Sequence, residues 1–485
     1  MRVDFRGDPR LGLRCGFDGD LEGHSLNEKR FRVDWGVALA SISLRGFRNL
    51  EPTSVDFAEG SNYLFGPNGA GKTNLLEAIH YLAIGRSFRR CPDTDMLGFG
   101  KDVLAVAGTD ESGDTAEIRF DGREKRILRN NIPIEKLSEY FGWLPVVVLL
   151  LEDIELVKGA PGIRRNFLDV AIAKAGPSRT GSYHKDTKTQ SQDGPKSEVR
   201  RQSAEARSAD GDSHHQDTKT PMARTAKPEI NHQDTKTQTG ETSYIALTSE
   251  YRRAVSQYNR LLERSGASRE PVADQLSAWE EELVLSGVPV YEARLTKVGE
   301  LLENTAEHYE RLAGHGARFS YRSSVGDSSD IAGAFRQRLA QTRERARALG
   351  HAVVGPHRDD IRISRGDREL RKFGSVGEQR LAGIALRLAE ADMILSAGRQ
   401  RPVFLLDEVA SELDEQRSSM VLAMVAERGQ MVYAAARRIA KQGSSGGTPN
   451  AVHDASALDH LTTGPLGRSS GREFHVEAGK VSEVS

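Results

Sequence analysis

The sequence predicts an α/β fold that is interrupted by a mainly helical segment, and three observations lead to this expectation. Short alternating or apolar runs typical of strands occur in both outer parts of the chain, after Val37 and from Val403 to Leu406. A glycine-rich loop lies between an apolar strand and an amphipathic helix at residues 66 to 73. From Tyr244 onward, apolar residues recur at steps of three and four, which is the spacing of helices.

Length and composition bound the kind of protein. The 485 residues allow two or three domains, and the 38% hydrophobic content supports at least one large core. The longest apolar run, Leu144 to Leu151, contains Pro145 and is far shorter than the roughly 20 residues of a membrane-spanning helix. Residues 1 to 20 carry scattered charges and no apolar block, so they predict no secretory signal. We therefore expect a cytoplasmic protein with no membrane partner.

Cysteines and charges exclude further classes of protein. Cys15 and Cys91 are the only cysteines, and neither has a Cys or His neighbour at metal-ligand spacing, so we expect no disulfide scaffold and no zinc site. The 68 basic and 69 acidic residues nearly cancel and create no global field for nucleic acid. Local basic clusters remain, although solvated ion pairs explain each cluster better than DNA binding does. The DNA-contact candidates are Arg89, Arg90, Arg126 and Arg129.

The outer segments are predicted from composition. Residues 1–36 are rich in glycine and charge without periodicity, and we expect them to be disordered or to reflect a wrongly assigned start codon. Residues 37–175 and 351–485 show the apolar spacing typical of strands and helices, and they are expected to form two halves of one α/β unit. The second half includes predicted strands at Ala352 to Val354 and Ile361 to Ile363.

The middle of the chain differs in composition. Residues 176–243 are polar and contain the irregular repeats HKDTKTQ, HQDTKTP and HQDTKTQ, which predicts a disordered insertion because such text buries too little apolar surface to offset its ordering entropy. Residues 244–350 carry helical apolar seams and predict a subdomain of antiparallel helices. Within it, Gly287 and Pro289 are expected to separate two helices.

The strongest motif is GPNGAGKT, a P-loop in its proper context. The run Tyr63 to Phe65 supplies the preceding strand, and an amphipathic helix follows. In such a loop, glycines let backbone N–H groups point at phosphate oxygens, the lysine reaches the β- and γ-phosphates, and the threonine hydroxyl ligates magnesium. The sequence therefore predicts bound ATP and Mg²⁺. The predicted ATP-binding residues are Gly66, Pro67, Asn68, Gly69, Ala70, Gly71, Lys72, Thr73 and Asn74.

A second motif supplies the carboxylates that a P-loop ATPase needs. The apolar strand VFLL ends at Asp407 and Glu408. Asp407 is the predicted metal ligand beside Thr73, and Glu408, which faces the other way on an extended chain, is the predicted catalytic residue that orients the attacking water. The alternative is that the acidic pair only caps a helix, since Ser411-Glu412-Leu413-Asp414 follows.

A third motif, SVGEQR, begins 32 residues before Asp407 and opens a long helix rich in alanine and leucine. A serine and a glycine at a helix start present a hydroxyl and backbone N–H groups, which suit an anion. Because the P-loop already serves one phosphate tail, Ser375, Gly377 and Glu378 are predicted to meet ATP held by a second copy of the chain. The alternative is a simple helix cap at Ser375.

This order of motifs predicts an ABC-type P-loop ATPase head with an inserted mainly helical arm subdomain. The chain also resembles one family closely. The strings RGFRNL, FGPNGAGKTNLLEAIHYLAIGRSFR, GAPGIRRNFLD, VVGPHRDDI, SVGEQR and LLDEVASELD are similar to those of the RecF family of recombination-repair proteins. The match extends from about residue 38 to the C-terminal hairpin and is interrupted by the polar insertion.

The resemblance implies a function beyond nucleotide binding. Members of this family bind ATP, dimerise around it, hydrolyse it slowly, and bind DNA at gaps or at junctions of single and double strands. They act with RecO and RecR to help load RecA, which implies roles in recombinational repair, replication-fork maintenance and the SOS response, and a nucleoid-associated location. By the same resemblance, Asp414 belongs to the loop that communicates across the dimer.

Three departures and three alternatives accompany this interpretation, and the N-terminal extension of residues 1–36 is one of the departures. The residues after Val432, Tyr433 to Arg437, lack the polar side chain that cassette ATPases place there, and the insertion interrupts the family's helical arm. A cohesin-like tether would need far longer coiled coils. A transporter ATPase would place its signature much closer than the 303 residues that separate Lys72 from Ser375. A switch that binds ATP without useful turnover is the third alternative.

Overall fold

The computed structural model describes residues 39–135, 140, 142–176, 243–267, 273–398, 400–436 and 471–484. The predictions for residues 1–36 and for almost all of the 176–243 insertion lie outside these ranges, as does Arg437. The five-segment division of the chain therefore stays a prediction. No helix in the described ranges is long and apolar enough to cross a membrane.

A mainly parallel sheet of six strands carries the loops of the candidate site. The strands are β3 (Ser61–Phe65), β8 (Val146–Leu150), β12 (Val403–Asp407), β13 (Gln430–Ala435), β14 (Arg472–Glu477) and β15 (Lys480–Val484). Their order in the sheet is β15-β14-β3-β13-β12-β8, and only the edge strand β15 runs antiparallel to its neighbour. Because parallel strands end at the same edge, Phe65, Leu150, Asp407 and Ala435 deliver their following loops to one place. The expected C-terminal hairpin is confirmed as β14 and β15.

A second sheet of six strands is antiparallel. The strands are β1 (Leu39–Arg45), β2 (Thr53–Asp56), β4 (Leu104–Asp110), β5 (Thr115–Phe120), β6 (Lys125–Arg129) and β7 (Ile132–Pro133). Their order in the sheet is β2-β1-β4-β5-β6-β7. One face is buried against helix α1 (Lys72–Ile84), so closely that a Cβ atom on Gly108 would lie 2.6 Å from Leu82 Cδ2. Residues on the other face are half-buried or exposed, which is the alternation expected of an antiparallel sheet with one covered face.

The remaining helices complete the head and form the arm. Helices α2 (Glu155–Lys158) and α3 (Pro161–Lys174) follow β8. The arm contains α4 (Tyr244–Ala267), α5 (Ala273–Ala313) and α6 (Ile331–Leu349). A small sheet joins arm and head through β9 (Arg318–Arg322), β10 (Asp360–Arg365) and β11 (Arg368–Glu369). The last helices in the described ranges are α7 (Leu370–Phe373), α8 (Val376–Ser396) and α9 (Glu415–Ala426). This architecture confirms the predicted fold class.

Two local predictions are wrong. Gly287 and Pro289 do not separate helices, because α5 runs through both residues for 41 residues, or about 60 Å. Gly287 instead allows close helix packing, since a Cβ atom there would lie 2.8 Å from the ring of Phe335 and 3.0 Å from that of Tyr251. Tertiary packing overrides the local signal here.

The predicted strand at Ala352 to Val354 is a loop. Its first residue is fixed by side chains rather than by a sheet: the Ala352 N–H donates to Asn259 Oδ1 at 2.8 Å, and the Ala352 carbonyl accepts from the Arg358 guanidinium at 2.6 Å. The strand begins later, at Asp360, and includes the second predicted run Ile361 to Ile363. Short apolar runs do not distinguish a strand from a buried loop.

Candidate functional site

A cavity of about 340 Å³ lies at the carboxyl edge of the parallel sheet. One wall is the loop between β3 and α1, with Asn68, Gly69 and residues 71–74. The facing wall is built from Leu151 and Glu152 after β8 and from Asp407 and Glu408 after β12, and Arg89 lies at the side. The predicted P-loop and the predicted acidic pair therefore meet, although more than 330 residues separate them in the chain.

The P-loop backbone needs its glycines. Gly66 has a φ of 154° and Gly71 a φ of 118°, which L side chains rarely adopt. A Cβ atom on Gly66 would lie 2.0 Å from the Val476 carbonyl oxygen, so the loop passes directly over β14. Gly71 is the N-cap of α1, and its conformation turns the chain into a helix whose first residues line the cavity.

Lys72 is folded back onto the loop. Its ammonium group donates to the carbonyl oxygens of Gly66 at 2.8 Å and Pro67 at 3.1 Å. Burial lowers the pKa of Lys72, and the negative charges of Glu408 and Asp407 partly offset this effect. A cation held between main-chain carbonyls and two carboxylates is suited to meet an anionic ligand entering the cavity.

Further residues that the sequence analysis missed brace this loop. Asn49 Nδ2 donates to the Gly69 carbonyl at 3.3 Å, and Asn49 Oδ1 accepts from Asn74 Nδ2 at 2.7 Å. From the C-terminal hairpin, the Gly479 N–H donates to the Ala70 carbonyl at 2.9 Å. These contacts join segments that are distant in the chain, so they could not be predicted from a local motif.

Asp407 is placed as expected beside Thr73. The Thr73 hydroxyl hydrogen-bonds the Asp407 carboxylate. Burial raises the pKa of Asp407, the hydrogen bond from Thr73 lowers it, and the negative charges of Glu408 and Glu152 raise it again. A buried carboxylate that shares a cavity with other carboxylates is stabilised by a cation. The described residues contain no ready-made group of three metal ligands.

Glu408 has an unusual backbone. Its φ of 52° lies in the left-handed region, although it is not a glycine, and its N–H donates to the Ala434 carbonyl at 3.1 Å. Such conformations persist only where the surrounding structure holds them, and they cluster at functional sites. The acidic pair does not cap α9, because Asp414 caps that helix by accepting from the Arg417 N–H at 2.9 Å.

Two charged residues of the cavity were not assigned to it from the sequence. Glu152 lies two residues after the end of β8, and its only signal in the sequence was its position after an apolar strand. Arg89, a DNA-contact candidate, instead lines this cavity. Its guanidinium donates to Asn74 Oδ1 at 3.0 Å and lies 3.2 Å from the buried carboxylate of Glu77.

The residues of the SVGEQR motif lie elsewhere. Ser375 and Gly377 are exposed, Glu378 is half-buried, and none of the three is among the residues that line the cavity in the described chain. Ser375 and Glu378 form a capping box: Ser375 Oγ accepts from the Glu378 N–H at 3.2 Å, and Glu378 accepts from the Ser375 N–H at 2.8 Å. Glu378 also pairs with Arg365 at 2.6 Å. The predicted cap therefore exists, and the predicted contact with a second copy stays a prediction.

Together, a P-loop between β3 and α1, an acidic end of β12 and a helix that opens with a serine-glycine signature define an ABC-type P-loop ATPase head with an inserted helical arm. Comparison with known proteins agrees. A family model described as AAA domain matches residues 41–242. The DNA replication and repair protein RecF of Geobacillus kaustophilus is 30% identical over 406 residues, which cover 81% of this chain and 91% of that protein. The chain therefore belongs to the RecF family of DNA replication and repair proteins.

Two further comparisons extend this result. The DNA replication and repair protein RecF of Geotalea daltonii is 26% identical over 406 residues, covering 82% of this chain and 92% of that protein. A solved structure of the recombination mediator protein RecF with ATP, from the RecFOR pathway, matches with a TM-score of 0.69 at 21% identity. It covers 94% of this chain and 100% of that chain. At this identity the structural likeness supports the fold.

Proposed function

We propose that this protein binds ATP and Mg²⁺ in the P-loop cavity and thereby dimerises on gapped DNA or on junctions of single and double strands. One observation carries the proposal. The P-loop and the acidic pair Asp407 and Glu408 share one cavity, while the exposed start of α8 at Ser375 is not part of it. In this proposal a single chain supplies both halves of a nucleotide site, the P-loop cavity and the start of α8, but the two halves do not meet within that chain.

The P-loop holds the phosphates in this proposal. The backbone of residues 66–71 and the start of α1 supply N–H groups, and Asn68 and Asn74 line the approach. Lys72 exchanges its two carbonyl partners for phosphate oxygens, which costs little because those carbonyls are neutral acceptors and the phosphates are charged. The loop is already braced by Asn49 and Gly479, so little ordering is required on binding.

Thr73 and Asp407 would hold Mg²⁺, since their side chains are already paired at the cavity and burial together with Glu408 and Glu152 makes the Asp407 carboxylate a favourable site for a cation. When bound, the ion would supply positive charge to the phosphates. Glu408 is the proposed catalytic residue that orients and accepts a proton from water. The expected turnover is slow, because Ala434, Ala435 and Ala436 leave no polar side chain at the end of β13 to sense the γ-phosphate.

The second copy completes the site. In the proposed dimer, Ser375, Gly377 and Glu378 of one copy meet the nucleotide of the other, and Asp414 lies in the loop that communicates between the copies. The support is the exposure of this helix start, whose N–H groups and dipole favour an anion. No atom lies within 4 Å of a Cβ position on Gly377 in the described structure, so the helix start is open to a partner.

Family membership supports the wider role. We propose action with RecO and RecR in loading RecA, in recombinational repair and replication-fork maintenance, with support of the SOS response. The site of action would be the nucleoid in the cytoplasm, and DNA would stimulate a weak ATPase activity.

Sizing of the protein with and without ATP and gapped duplex tests the proposal. The unmodified protein is expected to become dimeric with ATP and to bind DNA, whereas Lys72→Ala is expected to stay monomeric and to bind DNA poorly. Lys158→Ala is the matched control, because that lysine is exposed at the end of α2 and outside the cavity. Equal behaviour of all three proteins would overturn the role of ATP.

Glu408→Gln separates an ATPase from a switch without turnover. The variant is expected to retain ATP binding and dimerisation and to lose steady-state phosphate release with and without DNA. The absence of measurable release from the unmodified protein, with dimerisation intact, would favour the switch.

A further inference from the structure

The outer face of the antiparallel sheet carries an unusual row of arginines. In the strand register, Arg45 of β1 is paired with Ala105 of β4, Ala105 with Arg119 of β5, and Arg119 with Arg126 of β6. Directly paired residues point to the same side of a sheet. Three arginines and one alanine therefore form one line across four neighbouring strands.

This line lies on the face that α1 does not cover. The neighbouring residues Leu44, Val106, Ile118 and Ile127 are buried on the opposite face. On the arginine side, Arg45 is exposed, and the side chains of Arg119 and Arg126 are 61% and 70% exposed. The second row of that face is Ser43, Ala107, Glu117 and Leu128. We call these two rows the open face.

The open face has the shape and charge of a nucleic-acid surface. Its central residues Ser43, Ala105 and Ala107 are small, so a large rigid partner can approach the backbone closely. Four strands span about 14 Å from Arg45 to Arg126. Arginine side chains over that width reach phosphates on both sides of a B-DNA groove, since the minor groove is about 6 Å and the major groove about 12 Å wide.

Two carboxylates compete for these arginines. Glu117 pairs with Arg119 at 2.5 Å, and Glu124 pairs with Arg126 at 3.0 Å. Exposed pairs of this kind contribute little and are screened by salt. A polyanion can displace them because it also releases condensed counterions. Among the described residues, no side-chain hydrogen bond or ion pair is found for Arg45, so its guanidinium can bind a phosphate without giving up another partner.

A loop beside the row adds an aromatic side chain. The carbonyl of Gly46, the residue after Arg45, accepts from the Gly98 N–H at 2.9 Å, which fastens the loop at that end of β1. At the tip of the loop, Phe99 is fully exposed between two glycines, and Lys101 follows. An exposed aromatic ring beside cations is the arrangement on which unpaired bases stack.

We propose that the open face and Phe99 contact DNA, the arginine row binding duplex phosphates and Phe99 stacking on an unpaired base at a junction. The proposal deepens the proposed function and depends on it. Two other DNA-contact candidates of the sequence are not part of this surface, because Arg89 lines the nucleotide cavity and Arg129 pairs with Asp114 at 3.0 Å. Lys125, the residue before Arg126, turns to the covered side to reach Asp93 at 2.8 Å.

The test is the salt dependence of DNA binding by the full-length protein with ATP, measured as fluorescence anisotropy of gapped duplex between about 50 and 200 mM salt. The combined variant Arg45→Gln, Arg119→Gln and Arg126→Gln is expected to bind more weakly, with a slope of log affinity against log salt that is shallower by about 2 to 3. The control variant carries Arg336→Gln, Arg338→Gln and Arg347→Gln on the exposed side of α6. It has the same change of net charge, and its slope is expected to match that of the unmodified protein.

Phe99→Ala is expected to weaken binding to gapped DNA and to leave binding to blunt duplex unchanged. ATP binding and the midpoint of thermal unfolding show that each variant is folded. A photoreactive benzoylphenylalanine in place of Ala107 is expected to crosslink to the DNA and gives a second measurement at the centre of the face.

The outcomes separate the two proposals. If the unmodified protein binds DNA but the arginine-row variant keeps its slope and Ala107 gives no crosslink, the open face is not the DNA surface and the proposed function survives. Equal loss of slope in the arginine-row and control variants overturns the site, because it shows a nonspecific effect of charge. If the unmodified protein with ATP does not bind DNA even at low salt, the proposed function itself is lost.

Discussion

A cluster of buried charged side chains lies behind the cavity, and substituting one of them tests how the head is held together. Arg387 on α8 donates to Asp153 at 2.8 and 3.0 Å and to Glu390 at 3.0 Å, and Lys174 on α3 donates to Glu390 at 2.6 Å. The side chains of Asp153 and Glu390 are 7% and 0% exposed. Asp153 directly follows Glu152, which lines the cavity, so the cluster fastens the cavity wall to the signature helix.

We predict that Arg387→Met strongly destabilises the protein. The substitution keeps an apolar stem against the Phe167 ring, which the guanidinium now covers at 5.3 Å, but leaves Asp153 with the Leu150 N–H at 2.8 Å as its remaining hydrogen bond. Removing one partner of a buried ion pair costs about 3 to 5 kcal/mol, because the other charge stays buried without compensation. In a domain of 150 to 250 residues, each kcal/mol lowers the melting temperature by about 2 to 4 °C.

The sign of the pH dependence gives a second readout. Burial raises the pKa of Asp153, while Arg387 opposes this rise. Without Arg387, the folded-state pKa of Asp153 rises further above its unfolded value. Protonation then relieves the buried charge, so the destabilisation by Arg387→Met is expected to be smaller at pH 5 than at pH 8.

Urea denaturation followed by circular dichroism measures this effect, with Arg336→Met as the matched control. Arg336 forms a close pair with Glu281 at 2.6 Å, but both side chains are about half exposed. An exposed pair contributes far less than a buried one. Equal urea midpoints for the two variants would refute the argument, and so would a cost of Arg387→Met that does not change with pH.

Three other predictions follow from single sites. Gly66→Ala is expected to abolish the binding of fluorescent ATP, because its Cβ would collide with the Val476 carbonyl. Gly113 also has an unfavourable φ, 86°, but open surroundings, so Gly113→Ala is the control and should bind normally. Normal binding by both variants would show that the loop can move. Burial lowers the pKa of His357 to about 4, so stability should fall by about 3 kcal/mol as pH drops from about 6.5 to 4. His357→Gln should flatten that part of the urea stability curve, and an unchanged curve would exclude this histidine as its source. Gly383→Ala should lower the melting temperature, since its Cβ would lie 2.6 Å from the Asp153 carbonyl oxygen. Gly377 lies in open space, so Gly377→Ala is the control and should leave the melting temperature unchanged. Similar melting temperatures for the two variants would contradict the close packing of α8.

Several features were predictable because local sequence dictates them. The P-loop needs glycine at Gly66 and Gly71 wherever it occurs, and the strand before it and the helix after it are read from apolar spacing. The capping box at Ser375 and Glu378 is likewise a local hydrogen-bond pattern with a local signature. The α/β class, the candidate nucleotide site and the acidic strand end therefore follow from short stretches of text.

Other features depend on which distant segments come together. Arg89 is one of several similar arginines in the sequence, and only the fold brings it to the cavity beside Asn74. Gly287 reads as a helix end, yet it allows three helices to pack closely. Such roles depend on contacts between distant segments, so they cannot be predicted from the sequence around a glycine or an arginine.

The sequence by itself determined the class of protein, the nucleotide loop and the carboxylates expected to act with it, because backbone conformation and phosphate chemistry demand those residue types at those spacings. Only the tertiary structure decided that Glu152 and Arg89 share the cavity with Lys72, and that three arginines form one line across the open face. Strand register is the physical reason for that line: positions 45, 105, 119 and 126 have no common spacing in the chain, but hydrogen bonding between strands places them side by side.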